Sequence, residues 1–126
     1  MKAVLQNEFG GAETMFIGDT EKPVAKSGEL LVKVEASAVN RADVLQRQGK
    51  YPPPPGVSKI IGLEISGTVE EIGESSDPKW KVGDRVIGIV SGGAYAQYCT
   101  IHSTSAIRLP ESISFIDGKI ISLVDK

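Results

Sequence analysis

Tyr51 is the first residue whose surroundings suggest chemistry, because it stands directly before the run Pro52-Pro53-Pro54-Pro55. Prolines stiffen a loop into an extended form, which would hold the tyrosine ring in one place. A phenol held in this way can donate a hydrogen bond to a substrate carbonyl group. Two other interpretations stay open at this stage: the ring packs on the prolines, or the prolines are a Pro-x-x-Pro ligand for an SH3-type domain.

A second group of polar residues belongs to a short helix predicted over residues 41–48. Asn40 has the position of its N-cap, and Asp43 follows at the third helical position, where a carboxylate suits the positive end of a helix. Arg41 and Arg47 are either phosphate contacts or solvated helix charges. Taken from the residues alone, Asn40 and Asp43 are explained by helix capping.

Three further residues carry groups that catalysts use. Glu64 lies between apolar neighbours in a predicted strand, so its carboxylate must be ion-paired, hydrogen-bonded or protonated, and function and structure explain it equally well. Cys99 lies among apolar and aromatic residues, and we expect it to be buried and inert. His102, at the end of that strand, fits a surface or hydrogen-bonded histidine better than a general base.

The composition excludes several classes of function. One His and one Cys cannot form a Cys/His zinc site without several carboxylates, and the sequence has no Gly-x-Gly-x-x-Gly or complete P-loop motif, so we expect no nucleotide site in the chain alone. With 14 basic and 16 acidic residues, nothing indicates nucleic acid or an anionic membrane as a partner. The apolar runs are too short to span a bilayer, the polar start does not resemble a signal peptide, and a single Cys fits a reducing compartment. Together these features predict a cytoplasmic protein.

Short elements must position these residues, because fourteen glycines and seven prolines divide the chain of 126 residues. Residues 30–39 form the clearest strand, in which alternate residues such as Val32 and Val34 face a core and those between them face water. The other predicted strands cover residues 2–5, 15–17, 60–72, 85–90, 94–101 and 106–109, with bulges or bends at Gly62 and Gly67. Seven or eight strands and one helix predict a mainly β chain folded as one small barrel or closed sandwich.

Several segments of the sequence, taken in their order along the chain, resemble the GroES-like catalytic domain of the medium-chain dehydrogenase/reductase superfamily. The resemblance covers residue 1 to about residue 117 and rests on the segments Met1-Lys2-Ala3-Val4, Gly28-Glu29-Leu30-Leu31-Val32-Lys33-Val34, Ala38-Val39-Asn40-Arg41-Ala42-Asp43, Gly62-Leu63-Glu64-Ile65-Ser66-Gly67 and Val82-Gly83-Asp84-Arg85-Val86. Within the superfamily, the string from Asn40 to Tyr51 and the prolines after it resemble the quinone oxidoreductase branch. The implied fold is a mainly β, GroES-like small barrel with one or two short helices over residues 1–126, without a Rossmann domain.

The resemblance also implies roles for single residues. Zinc alcohol dehydrogenases of this superfamily carry a metal-binding Cys just after the long strand and, later, a Gly-His-Glu motif. This sequence has Asn40 in place of that Cys and Gly62-Leu63-Glu64 in place of that motif. The resemblance therefore implies the branch of the superfamily that is independent of zinc. In such NADPH-dependent reductases, Tyr51 would be the catalytic residue that orients a quinone, and Asn40 would contact the nicotinamide end of NADPH. Gln46 is implied as a second cofactor-binding residue in the lining of the cleft, and the Gly92-Gly93 turn as another part of that lining.

The family's nucleotide-binding Rossmann domain should follow residue 117, but the sequence does not continue into it. Residues 110–117 resemble the run that leads into that domain, whereas residues 118–126 resemble the family's extreme C-terminus, which adds a strand to the catalytic barrel. We therefore expect the cofactor domain to have been removed after Asp117, by design or by a natural deletion, with residues 119–124 as the returning strand. A truncated chain with accidental last residues is the alternative.

Two functions follow from the resemblance. The first is the catalytic-domain portion of an NADPH-dependent quinone oxidoreductase, which transfers hydride to a quinone or an activated alkene. Without its Rossmann domain, this portion is expected to be inactive, to bind no cofactor and to be a monomer. The second is an isolated barrel that serves as a non-catalytic binding or regulatory module for a full-length homologue.

Overall fold

The computed structural model describes residues 1–53 and 55–117. Within them it contains seven strands, the α-helix α1 and the 3-10 turn Ala12–Thr14, and residues 115–117 are also helical. The elements are β1 (Lys2–Gln6), β2 (Met15–Asp19), β3 (Glu29–Ser37), α1 (Arg41–Arg47), β4 (Glu64–Ile72), β5 (Arg85–Ile89), β6 (Tyr98–His102) and β7 (Ile107–Arg108). The prediction of a mainly β chain with short helices is confirmed. The α-helix ends one residue before its predicted boundary.

A five-stranded antiparallel sheet forms the body of the molecule. Its strand order is β6-β3-β4-β5-β7, so the long strands β3 and β4 lie inside the sheet. β1 and β2 form a separate antiparallel pair. This pair is joined to the segment before β6 by a bridge between Ala3 and Ala96 and by the backbone N–H of Val4, which donates to the Tyr95 carbonyl oxygen at 2.8 Å.

The clearest differences from the predicted strands lie at three strand ends. β3 stops at Ser37, two residues early, because the chain turns there towards α1 and leaves Val39 80% exposed. β4 begins at Glu64, four residues late, and β6 begins at Tyr98, also four residues late. The residues just before these two strands form backbone hydrogen bonds with each other instead of joining the sheet.

Residues 60–62 and 93–95 bond to each other outside the regular strands. The backbone N–H of Gly93 donates to the Ile60 carbonyl oxygen at 2.7 Å, and that of Tyr95 donates to the Ile61 carbonyl oxygen at 3.1 Å. Gly62 has a φ of 108°, which L-residues with side chains rarely adopt, and a Cβ there would lie 2.5 Å from Cδ1 of Tyr95. The predicted bend at Gly62 is therefore what brings Tyr95 close to this segment.

The irregularity predicted at Gly67 is a bulge in the partner strand. The register between β3 and β4 shifts between Val34 and Ala36, directly opposite Gly67. A Cβ on Gly67 would lie 2.1 Å from the Lys33 carbonyl oxygen, so the close approach of the two backbones requires glycine.

The core is one apolar cluster, to which β3, β4, β5 and β6 all contribute. Its buried members are Leu30, Val32, Ile65, Val69, Trp80, Val86, Ala94, Cys99, Ile101 and Ala106. The indole N–H of Trp80 donates to the Ser103 carbonyl oxygen at 2.9 Å, so the polar atom of this large side chain is satisfied inside the cluster. This core makes β3 and β4 a rigid support for the polar residues at their ends.

The segment after β7 is attached to the sheet by side chains of β4 and β5. The guanidinium of Arg85 donates to the carbonyl oxygens of Pro110 at 2.7 Å and Ile113 at 2.8 Å, and Ser66 Oγ donates to the Phe115 carbonyl oxygen at 2.6 Å. The predicted strand over residues 119–124 and the rest of the segment 118–126 lie outside the described residues.

We expect Gly62→Ala to destabilise the fold much more than Gly83→Ala. Both glycines have positive φ, which costs an alanine roughly 1 kcal/mol, but nothing lies within 4 Å of a Cβ on Gly83. At Gly62 the new methyl group would also overlap Tyr95, which adds about 1–3 kcal/mol. Urea unfolding of the two variants measures the difference, and equal losses of stability would contradict this account.

Candidate functional site

A carboxylate in the first turn of α1 connects the helix to the segment before β6. Asp43 is 2% exposed, and its Oδ2 accepts the backbone N–H of Asn40 at 2.9 Å and the phenol of Tyr95 at 2.6 Å. Burial, the hydrogen bond to Asp43 and its negative charge raise the pKa of Tyr95 above its usual range. Tyr95 therefore stays a hydrogen-bond donor at physiological pH, and it fixes the start of α1 relative to the sheet.

Asn40 connects the same helix start to the first residue of β4. It is the N-cap of α1, and its backbone N–H donates to the Asp43 carboxylate at the third helical position, as helix capping predicts. Its side-chain Nδ2 also donates to Glu64 Oε1 at 3.0 Å. Glu64 is 1% exposed, so of the three possibilities for its carboxylate, the structure shows a hydrogen bond.

Several acceptor atoms around α1 lack a donor. Asp43 Oδ1, Glu64 Oε2 and Gln46 Oε1 are buried, and none has a hydrogen-bond partner in the part of the chain that the structure describes. Leaving a buried acceptor unpaired costs about 1–3 kcal/mol. Buried acceptors of this kind in a folded protein are satisfied by an ordered water or serve a functional role.

A cleft of about 510 Å³ lies at the other end of α1. Gln46, which is 6% exposed, contributes to its wall from the helix, and Pro53 contributes from the proline loop. The remaining wall is formed by two short segments, residues 6–9 and 58–61. The volume falls in the range of about 300–1,000 Å³ that is usual for small-molecule sites.

The structure distributes the predicted site residues along α1 and the loop after it. Gln46 lines the cleft, whereas Asn40 lies six positions earlier, roughly 9 Å along a helix, with Glu64 as its partner. Tyr51 lies beyond the helix with 48% of its surface exposed, and it is not part of the cleft wall. Tyr51 is two residues before Pro53, so the loop connects it to the rim of the cleft.

The Gly92-Gly93 turn lies behind one wall of the cleft. The Gly93 N–H donates to the Ile60 carbonyl oxygen at 2.7 Å, and a Cβ on Gly92 would lie 2.9 Å from the Ser58 carbonyl oxygen. Ser58 and Ile60 line the cleft, so the turn supports the wall rather than forming it.

The other polar residues noted in the sequence have structural contacts. The Arg47 Nε donates to the Gly10 carbonyl oxygen at 3.1 Å, and Arg41 is exposed. His102 is exposed, with its Nδ1 2.7 Å from Thr104 Oγ1. Cys99 is buried as predicted, and burial raises the pKa of its thiol to about 12, which keeps it in the unreactive protonated form.

Tyr95 is the site residue that the sequence did not reveal. It lies 52 positions from Asp43 in the chain, and its contact depends on the pairing of residues 60–62 with 93–95. A Gly-Gly turn shortly before it is the one local signal, since it indicates a close backbone approach.

The described parts of the chain contain no group of three or more His, Cys, Asp or Glu residues that could hold a metal ion. Zinc independence stays a prediction. In the same residues, none of the helices has the length and apolar character needed to cross a membrane.

Comparison with known proteins identifies the family of this domain. Residues 26–111 match the alcohol dehydrogenase GroES-like domain. This chain belongs to that family. The GroES-like domain predicted from the motifs is confirmed, and every strand pairing of the described residues is antiparallel, unlike the parallel units of a Rossmann domain.

Relatives of this GroES-like domain include quinone oxidoreductases, as the motifs predict. It is 34% identical over 126 residues to the quinone oxidoreductase of Lama guanicoe, covering 98% of this chain and 38% of the relative. The structure of a quinone oxidoreductase from Pseudomonas syringae matches it with a TM-score of 0.86 at 28% identity, over 97% of this chain and 37% of that chain. The structure of Escherichia coli quinone oxidoreductase complexed with NADPH matches with a TM-score of 0.81 at 29% identity, over 91% of this chain and 35% of that chain. The chain thus spans less than two fifths of these relatives.

We expect Tyr95→Phe to lower the stability of the domain and to weaken its decline in alkali. The folded state raises the pKa of Tyr95 above its ordinary value of 10.0. The Tyr95 phenol therefore contributes fully to the free energy of unfolding below pH 10.0, and this contribution is lost as the pH rises further. At neutral pH the variant loses the hydrogen bond to Asp43, about 1–3 kcal/mol.

Unfolding by urea at a series of pH values measures both effects. Tyr98→Phe is the control, since it makes the same change on β6 and keeps the ring that lies against Lys22. A stability profile of Tyr95→Phe parallel to that of the wild type up to strongly alkaline pH would contradict the assignment.

Proposed function

We propose that this chain is the substrate-binding, catalytic portion of an NADPH-dependent quinone oxidoreductase. The observation that carries the proposal is the cleft beside α1, lined by Gln46 and Pro53, in a domain similar to those of quinone oxidoreductases. A quinone is a flat ring with carbonyl oxygens, and a cleft with apolar walls and a few amide groups suits such a ligand. An activated alkene with a conjugated carbonyl has the same requirements.

Tyr51 is the residue that we assign to orienting the quinone. Its exposed phenol lies on the loop that reaches the cleft at Pro53, so it can approach a ligand at the rim. In donating to a quinone oxygen, the phenol would stabilise the negative charge that develops there during reduction. This role needs no metal ion, in agreement with the proposed zinc independence.

Asn40 and Gln46 are the residues that we assign to the nicotinamide end of NADPH. Both carry side-chain amides, Asn40 at the N-cap of α1 and Gln46 in its last turn, and amides match the hydrogen-bonding pattern of a carboxamide. When bound, NADPH supplies the hydride, and a proton from water completes the reduction of the quinone to the hydroquinone. The part of the chain described here would position the ring, exclude water and donate hydrogen bonds.

The fit to NADPH is partial. The amides of Asn40 and Gln46 suit its nicotinamide, but the sequence has no glycine-rich loop to bind its phosphates. The phosphates would need a nucleotide-binding domain of the kind that the family has. We therefore propose that this chain alone is inactive and binds no NADPH. We also propose that it is a cytoplasmic monomer.

A specific observation also favours the second candidate, a binding or regulatory module for a full-length homologue. Val39, at the start of the site, is 80% exposed, and Phe9 and Ile116 are also exposed. A partner that covered these three side chains would remove their apolar surface from water, which favours association. Gel filtration with a full-length quinone oxidoreductase tests this candidate: co-elution supports it, and separate elution at micromolar concentrations rejects it.

We expect the chain to bind duroquinone but not NADPH. In calorimetric titrations, Tyr51→Phe should weaken the binding of duroquinone by about 3–10-fold, since it removes one hydrogen bond of roughly 0.5–1.5 kcal/mol. Tyr98→Phe, which makes the same change on β6, should leave the affinity unchanged.

Two results would reject parts of this proposal. Equal affinities of Tyr51→Phe and wild type would remove Tyr51 from the site. Micromolar binding of NADPH would show that the chain holds the cofactor without a second domain.

A further inference from the structure

Glu64 determines which way the side-chain amide of Asn40 points. Glu64 Oε1 is the acceptor in its contact with Asn40, whereas the Asn40 amide has both a donor end and an acceptor end. Nδ2 of Asn40 lies 3.0 Å from Glu64 Oε1. If the amide were rotated by half a turn, two acceptor oxygens would face each other in a buried site, so Glu64 selects one orientation.

Glu64 is itself held in place by the sheet. It is the first residue of β4 and pairs with Ile89 of β5, and it is 1% exposed. The backbone of Asn40 is fixed separately, because its N–H donates to Asp43 Oδ2 at 2.9 Å. Asn40 is thus restrained at its backbone by one buried carboxylate and at its side chain by another.

The cost of this arrangement indicates that it serves something other than stability. Oε2 of Glu64 is buried and has no hydrogen-bond partner among the residues that the structure describes. A glutamate retained there for folding alone would be a poor choice, because the unpaired oxygen is destabilising. What Glu64 does achieve is a defined amide orientation at Asn40.

One hydrogen of the Asn40 amide remains for a ligand. Nδ2 carries two hydrogens, and Glu64 Oε1 is its one acceptor within residues 1–53 and 55–117. Asn40 is half-buried and follows the exposed Val39, so it lies near the molecular surface. We propose that Glu64 is a positioning residue that fixes the amide of Asn40, so that its second N–H donates to the carbonyl oxygen of a ligand.

This inference rests on the proposed function, which supplies two ligands with such an oxygen. One is the carboxamide of nicotinamide and the other is the quinone. Both offer the same acceptor chemistry, and the Asn40 amide can bind one of them at a time. The experiment therefore uses each as a separate probe.

The test follows the side-chain amide signals of Asn40 by NMR in isotope-labelled protein. In the wild type, we expect a scalar coupling across the hydrogen bond from Asn40 Nδ2 to the Glu64 carboxylate and slow exchange of that hydrogen with water. In Glu64→Gln the new side-chain amide can present either its oxygen or its NH2 group to Asn40, so one orientation of the Asn40 amide is no longer enforced. Exchange of the Asn40 amide hydrogen should therefore accelerate about 3–10-fold, as expected for weakening one hydrogen bond. Glu71→Gln, the same change at an exposed position of β4, should leave the signals unchanged.

Absence of the coupling in the wild type overturns the positioning role, and this measurement does not depend on whether Glu64→Gln folds. Unchanged exchange in a folded Glu64→Gln variant overturns it as well. Neither result depends on ligand binding, so the positioning role can fail while the proposed function stands.

Ligand titrations test the second half of the inference. A shift of the Asn40 amide signals with duroquinone assigns the hydrogen to the quinone, and a shift with nicotinamide assigns it to the cofactor. In either case Glu64→Gln should bind that probe about 3–10-fold more weakly, with Glu71→Gln unchanged. Binding without any change at Asn40 rejects the ligand role of Asn40, whereas failure of the wild type to bind either probe rejects the proposed function.

Discussion

A carboxylate that is removed from water must receive hydrogen bonds from the protein, and Asp43 receives two. One donor is the backbone of Asn40, three positions earlier, and the other is the phenol of Tyr95, 52 positions later. The first is local and starts a helix, whereas the second ties that helix to a distant segment. This pair of contacts holds the start of α1, while the backbone N–H of Gly10 and Nε2 of Gln6 donate to the Arg47 carbonyl oxygen at its end.

The segment that carries Tyr95 forms hydrogen bonds with two other parts of the chain. It bonds to residues 60–62, which precede β4, and to β1, through the carbonyl oxygen of Tyr95. Gly62 makes this crossing possible, because any side chain there would overlap Tyr95. The same backbone arrangement therefore supports the cleft wall at residues 58–61 and brings the phenol to Asp43. The cleft and the polar cluster of Asn40, Asp43, Glu64 and Tyr95 are therefore two results of one packing arrangement.

This division of the site suits the proposed reduction of a quinone. The cleft supplies shape and apolar walls, and the polar cluster supplies an amide with a defined orientation. A preorganised donor stabilises developing charge without the cost of reorienting when the reaction occurs. Buried carboxylates are well suited to hold such a donor, because they constrain neighbouring N–H groups without competing for the ligand's oxygen.

Much of this could be predicted from the sequence, where the signal is local. Alternation in residues 30–39 and the spacing of glycines and prolines indicate a mainly β chain, and the Asn40/Asp43 pair predicts the start of α1 to the residue. The motif order predicts the GroES-like family. Strand ends were predicted less well, because residues 60–62 and 93–95 look like strand but are bonded to each other instead.

The sequence by itself thus determined the class of fold, the helix with its cap, and the oddity of a glutamate among apolar residues. It could not show that Glu64 accepts a hydrogen bond from Asn40, that Tyr95 reaches Asp43, or that Tyr51 stands apart from the cleft wall that Gln46 lines. Capping and alternation are set by neighbours a few residues apart, which a sequence displays directly. Contacts across 24 and 52 positions exist because the sheet register and the crossing at Gly62 bring the residues together, and that decision belongs to the tertiary structure.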